Sequence, residues 1–138
     1  MNLPQRRKRP RMQQPKADAP IRCPSHLKWV RGHNCICVEI DPTGCEGKIE
    51  AAHVRRGTDG GVGSKPGDNF SIPLCSNHHR EQHTIGEQSF EKRYRFSMLQ
   101  VADRLWRKWT TTTEAGRRFI ELQGAQAPYP SPSLPESQ

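Results

Sequence analysis

The chain has 138 residues, with 22 Lys or Arg against 14 Asp or Glu and a net charge of +8. That length accommodates one domain with a modest core, and no apolar run reaches the length of a membrane helix or of a secretory leader. Five Cys, an odd number, stand among six His, which favours metal ligation over a disulfide framework and, with no leader, a cytoplasmic setting.

The charge is unevenly spread. Six basic residues (Arg6, Arg7, Lys8, Arg9, Arg11 and Lys16) fall within residues 1–16 without an acid, and the other sixteen face fourteen acids. With Pro4, Pro10, Pro15 and Pro20 interleaved, residues 1–20 read as a disordered basic arm that seeks polyanions; a solubilising tail is the plainer alternative. Residues 21–35, IRCPSHLKWVRGHNC, place Leu27 and Val30 three apart, as in a short helix stopped by Gly32. Cys23 and His26 form a Cys-x-x-His pair with no second pair at finger spacing behind it. They read as structural or surface residues rather than ligands.

Cys35-Ile36-Cys37 leads to a turn at Asp41-Pro42-Thr43-Gly44, where Pro sets one dihedral and Gly is expected at positive φ. The turn returns the chain to Cys45 and brings one of the early Cys near it. Lys48 to Val54 then reads as a strand, Arg55 to Asn69 as a Gly-rich loop, and Phe70 to Cys75 as a second strand. A helix follows with Ser76 as its N-cap. Cys35 or Cys37 with Cys45, and Cys75 with His78, are two half-sites of a tetrahedral zinc site; buried apolar thiols are the bland alternative. The loop fails the phosphate-cradle pattern, since Ser64 precedes Lys65 and Pro66-Gly67 follow. It carries Arg55, Arg56 and Lys65 towards a sugar–phosphate backbone.

His79 and His83 lie at i and i+4, on one face of that helix, where they can share an ion. Glu81 is about 200° around the helix from His79, which removes the zinc-protease reading. Ser97 to Trp109 is amphipathic, with Met98, Val101, Ala102, Leu105, Trp106 and Trp109 at helical spacing. Thr110 to Thr113 is expected to break it, Glu114 to Gln123 to form another helix, and residues 124–138 to be a disordered Pro/Ser-rich tail.

At these residues the chain resembles the HNH endonucleases of the ββα-metal (His-Me finger) group, especially small phage and prophage HNH proteins, over residues 22–95. The resemblance implies an α+β fold with a ββα core at residues 48–85. That core carries zinc-knuckle half-sites within a domain of residues 21–123, whose C-terminal helices span residues 87–123. It implies His53 as general base, Asn69 as the residue steadying the ββ loop, His79 as a metal ligand, His83 as an additional ligand and Glu50 as an orienting acid. Cys35, whose place after Arg31-Gly32-His33-Asn34 resembles that of the relatives' first Cys, joins Cys45, Cys75 and His78 around structural zinc, with Cys37 as competitor. Where many members carry Asp or His before the base, this chain has Ala52. The catalytic ion then rests on His79 and His83, or His53 itself becomes a ligand.

The function so implied is hydrolysis of DNA phosphodiester bonds, in double-stranded or branched DNA, with Mg, Mn, Ni or Zn. Its products would carry 5′-phosphate and 3′-hydroxyl ends, and its setting is a bacterial host cell or phage. An imidazole of ordinary pKa near ~6.5 can take a proton from water at neutral pH. Two other readings stand beside it: a zinc-stabilised nucleic-acid-binding protein without catalysis, and a partner-binding module using the Trp106/Trp109 surface.

Overall fold

The computed structural model describes residues 20–58 and 65–123. The expectations for the basic arm, the Pro/Ser-rich tail and the middle of the Gly-rich loop lie outside the described residues. Within them the protein is α+β, with one small two-stranded sheet and helices around it. Strand β1 (Ile49–His53) pairs antiparallel with β2 (Ser71–Cys75), Ala52 facing Ile72 and His53 facing Ser71. One further rung, from the Val54 amide to the Phe70 carbonyl at 2.8 Å, extends the pairing to the ends expected from the sequence.

The pleat sends successive side chains to opposite faces. Ala52, Val54, Phe70, Ile72 and Leu74 therefore share one face and are all buried. They cluster with Phe90, Tyr94, Met98 and Ala102, each large side chain contributing about 1.5–3 kcal/mol by burial. Those four partners come from α3 (Glu87–Tyr94) and α4 (Met98–Thr112).

Helix α2 (Ser76–Ile85) starts directly from β2, and its cap differs from expectation. The Sγ of Cys75 accepts the His78 amide at 3.4 Å, so Cys75 caps the helix and Ser76 is its first residue. The Ser76 hydroxyl instead donates to the Lys48 carbonyl at 3.1 Å, tying the helix start to the approach to β1. Gly86, at φ 85°, lets α3 follow α2 after a single residue.

The expected break over Thr110–Thr113 falls only at Thr113. The hydroxyls of Thr110, Thr111, Thr112 and Thr113 donate to the carbonyls of Trp106, Arg107, Lys108 and Trp109, four residues back. With its hydroxyls so satisfied, the β-branched run stays helical for three more residues. Thr113 then caps α5 (Glu114–Leu122) through the Gly116 amide at 3.0 Å.

Helix α1 (Pro24–Arg31) ends at Gly32 as the sequence predicts, with Pro24 in its first turn. Cys23, Trp106 and Trp109 form a second cluster with Trp29, Phe119 and Ile120. Helix α4 thus serves both cores, Met98 and Ala102 towards the sheet and the Trp pair towards α1 and α5. Cys23 and His26 are buried in this second region, which makes them structural rather than surface residues. Among the described residues no helix is long and apolar enough to cross a membrane.

Candidate functional site

Three elements deliver the Cys and His ligands to one point. Cys35 sits beside the outer edge of β2, where the Ile36 amide donates to the Pro73 carbonyl at 3.1 Å. Cys45 follows the turn at Pro42–Gly44, and Cys75 and His78 span the junction of β2 and α2. The ligand atoms of Cys35, Cys45, Cys75 and His78 all lie within 4.8 Å of one another. The three sulfurs stand 3.5, 3.5 and 3.1 Å from the same Nδ1 of His78. One ring nitrogen cannot bond three thiols at once. Tetrahedral zinc with Zn–S of about 2.3 Å and Zn–N of about 2.1 Å would separate sulfur from nitrogen by roughly 3.6 Å. The Cys3His cluster therefore fits a metal such as zinc, and Cys37, though buried, lies outside it.

The thiol chemistry fits too. Hydrogen bonding from Cys37 pulls the Cys35 thiol down to about 4. Burial and the Cys35 thiolate push Cys45 up to about 12, and the hydrogen bond to Cys35 raises Cys37. The cluster alone sheds one proton readily and resists the next. A divalent cation offsets that repulsion and stabilises every coordinating thiolate.

Asp41 is a member of this site whose place in the sequence marks it only as a turn residue. Its Oδ2 accepts the Nε2–H of His78 at 3.0 Å, which leaves the Nδ1 lone pair for a metal. That hydrogen bond holds the Asp41 carboxyl below the usual carboxylate range. It also explains Gly44 differently from expectation, because Gly44 is not among the glycines at positive φ. A Cβ there would collide with the Asp41 carboxylate and crowd His78 Nε2.

On the outer face of α2, the Nε2 atoms of His79 and His83 stand 3.1 Å apart. Two nitrogens each about 2.1 Å from one ion have a separation close to this. Glu50 Oε1 lies 3.5 Å from His79 Nδ1, so the acid orients the ring with Nε2 turned towards His83. His79 and Glu50 are partly exposed and His83 is exposed, so the pair is open to solvent. Glu81 points elsewhere, accepting the Tyr94 hydroxyl at 2.8 Å and pairing with Arg93 at 3.0 Å. Ala52 shares the parity of Glu50 on β1 but is fully buried in the core, so only a methyl stands there.

His53 ends β1 as expected, and its partner is Asp68. The Nε2–H of His53 donates to Asp68 Oδ1 at 2.9 Å, while Asp68 Oδ2 accepts the Cys23 amide at 2.7 Å. Arg22 lies 3.6 Å from the same carboxylate. Burial lowers His53 below its ordinary pKa despite the opposing pull of Asp68, so the ring is neutral at pH 7 with Nδ1 as its free lone pair. Burial alone would raise Asp68, but the bonds from His53 and Cys23 outweigh it and hold the carboxyl below the usual range.

Asp68, beside Asn69, carries no signal in the sequence, because no helix or strand periodicity marks a loop acid. No hydrogen bond or ion pair joins His53 to His79 or His83 among the described residues. Asn69 is buried with its Oδ1 unpartnered. Arg55, Arg56 and Lys65 are exposed. The Arg55 and Arg56 amides donate to the Glu87 carboxylate at 2.8 and 3.3 Å.

A family model described as "Protein of unknown function (DUF968)" matches residues 7–108. The chain is also similar to the uncharacterized protein YdfU of Escherichia coli (strain K12), at 33% identity over 76 residues, 54% of this chain and 22% of YdfU. The chain thus spans about a fifth of that relative's length. No solved structure matches.

Proposed function

We propose that this chain, which belongs to the DUF968 family, is a metal-dependent endonuclease of the HNH kind that hydrolyses DNA phosphodiester bonds. The observation that carries the reading is the pair of imidazole Nε2 atoms 3.1 Å apart on α2, with Glu50 against the outer nitrogen of His79. The helix bearing them follows directly from an antiparallel strand pair whose first strand ends in a neutral His. The Cys3His cluster supports the reading by anchoring the junction of β2 and α2 from which the pair projects.

Each residue then has a task. His79 and His83 hold the catalytic ion, for which Mg, Mn, Ni or Zn are the candidates. Such an ion supplies positive charge to the phosphoryl oxygens and the leaving alkoxide. Glu50 keeps the His79 ring turned so that Nε2 presents its lone pair. His53, held by Asp68 through Nε2, takes the proton of the attacking water at Nδ1. Asn69 steadies the loop before β2, and Arg55, Arg56 and Lys65 neutralise flanking phosphates. Zinc at Cys35, Cys45, Cys75 and His78 stabilises the scaffold.

The test is a cleavage assay on supercoiled, linear and branched DNA with Mg²⁺, Mn²⁺, Ni²⁺ or Zn²⁺. Nicking or linearisation with at least one ion, lost in a folded His53→Ala protein, is expected. If wild-type protein binds DNA yet cuts none with any ion, the proposal gives way to a zinc-stabilised nucleic-acid-binding protein.

A further inference from the structure

A groove of about 690 Å³ opens on the side of the molecule formed by α3, the start of α4 and the loop leaving β1. Its walls carry Arg56, Lys92, Arg95 and Phe96, with Glu91 the only acid among the lining residues. None of those three cations has an ion-pair partner among the described residues. Arg93, one position from Lys92, is by contrast tied to Glu81 at 3.0 Å. Lys92 and Arg95 belong to α3 and its C-terminal end and Arg56 to the loop after β1, and a specific contact brings the two together. Glu87, the first residue of α3, accepts the amides of Arg55 and Arg56 and so clamps the loop after His53 against that helix.

Arg95 adds an independent observation. It terminates α3 in the left-handed region, at φ 56° and ψ 45°, and is the one non-glycine residue with positive φ among the described residues. Glycine is the usual occupant of such a position, because a Cβ is disfavoured there. A strained backbone that retains a cation on a ligand-sized groove points to work done by that cation.

We infer that this groove binds the sugar–phosphate backbone of a nucleic-acid strand, an assignment that rests on the endonuclease reading for its partner. Successive phosphates meet Arg56, Lys92 and Arg95. The half-buried Phe96 ring offers a face for sugar or base, as in sites that track a strand without reading sequence. A single phosphate is far smaller than the groove, and separated cations suit a repeating anion better than one point charge. Arg56 is three residues beyond His53, so a strand lying here runs up to the proposed cleavage site.

The test uses the full-length chain, a fluorescently labelled duplex and binding anisotropy without added divalent ion, measured across a salt series. The variants are Arg95→Gly, Lys92→Gln and the two combined. The double variant should bind about tenfold more weakly for every sequence tried, and its salt slope should fall by about 2 for two lost phosphate contacts. Arg95→Gly relieves the left-handed strain, so its melting temperature should equal or exceed that of wild type while its affinity falls. Affinity and stability moving in opposite directions separates lost contact from lost folding.

Wild-type affinity and slope in the double variant overturn the groove assignment and leave the endonuclease reading intact. A loss confined to one sequence also overturns it, because the groove would then read bases. No DNA binding by the wild-type chain overturns both.

Discussion

The Nε2–H of His53 donates to Oδ1 of Asp68 at 2.9 Å, and the other oxygen of that carboxylate accepts the Cys23 amide at 2.7 Å. One buried acid therefore fixes the tautomer of the last residue of β1 and docks the start of α1. Asp68→Ala should cost about 1–3 kcal/mol by leaving a buried amide without an acceptor. Asp68→Asn keeps an acceptor and removes the charge, so most stability should remain. Burial already lowers the His53 pKa and Asp68 opposes that lowering. Loss of the charge should move the acid limb of the cleavage–pH profile to lower pH, together with a lower maximal rate. A profile unmoved in Asp68→Asn would make Asp68 a purely structural residue.

The Cys3His cluster makes a prediction that needs no activity. Cys75→Ser should lose one equivalent of zinc and lower the melting midpoint by about 10 °C or more, because the free energy of a structural metal is folding free energy. Cys37→Ser should retain the zinc, since its sulfur lies outside the four-ligand group. Metal analysis with thermal melts checks both, and wild-type zinc content in Cys75→Ser would remove the assignment.

His53 and His79 should respond differently to metal. His79→Ala should lose cleavage and recover part of it in excess Mn²⁺ or Ni²⁺, because a weakened site can be filled by mass action. Glu50→Gln should need about 10–100-fold more metal, the usual cost of losing an outer-shell partner. His53→Ala should not respond to metal, since the missing group is a base. If excess metal restores His53→Ala, His53 is a ligand.

His26 predicts an acid sensitivity of the fold. The ring is fully buried with both nitrogens unpartnered, packed 4.8 Å from Trp106, 5.1 Å from Trp109 and 5.8 Å from Trp29. Burial lowers its pKa to about 4. A His depressed in the folded state contributes nothing unfavourable above its unfolded value near ~6.5. Stability is lost as pH falls from there to about 4. The unfolded chain takes the proton first, a loss on the order of 3 kcal/mol over the window. His26→Phe should remove this component. The melting-midpoint difference between the two proteins should therefore shift in favour of His26→Phe as pH falls from 7 to 4, and a difference that stays constant would contradict the prediction.

Local pattern alone determined much of this molecule. Short apolar runs at Lys48 to Val54 and Phe70 to Cys75 announce two strands, Gly32 ends α1, and the spacing of His79 and His83 puts both rings on one helical face. Cys75-x-x-His78 likewise reads as a half-site, because residues three apart at a helix start must converge. Tertiary structure decided what sequence distance conceals. Cys35 is 43 residues from His78, and its sulfur joins the cluster because a backbone bond from Ile36 to Pro73 sets that segment beside β2. Asp41 and Asp68 look like ordinary loop acids until folding places them on His78 and His53. Ser76 loses the helix cap to Cys75 because its hydroxyl meets the Lys48 carbonyl, 28 residues back, once the chain is folded. Periodicity reports which face a side chain occupies; which partner waits on that face depends on chain segments that meet only in three dimensions.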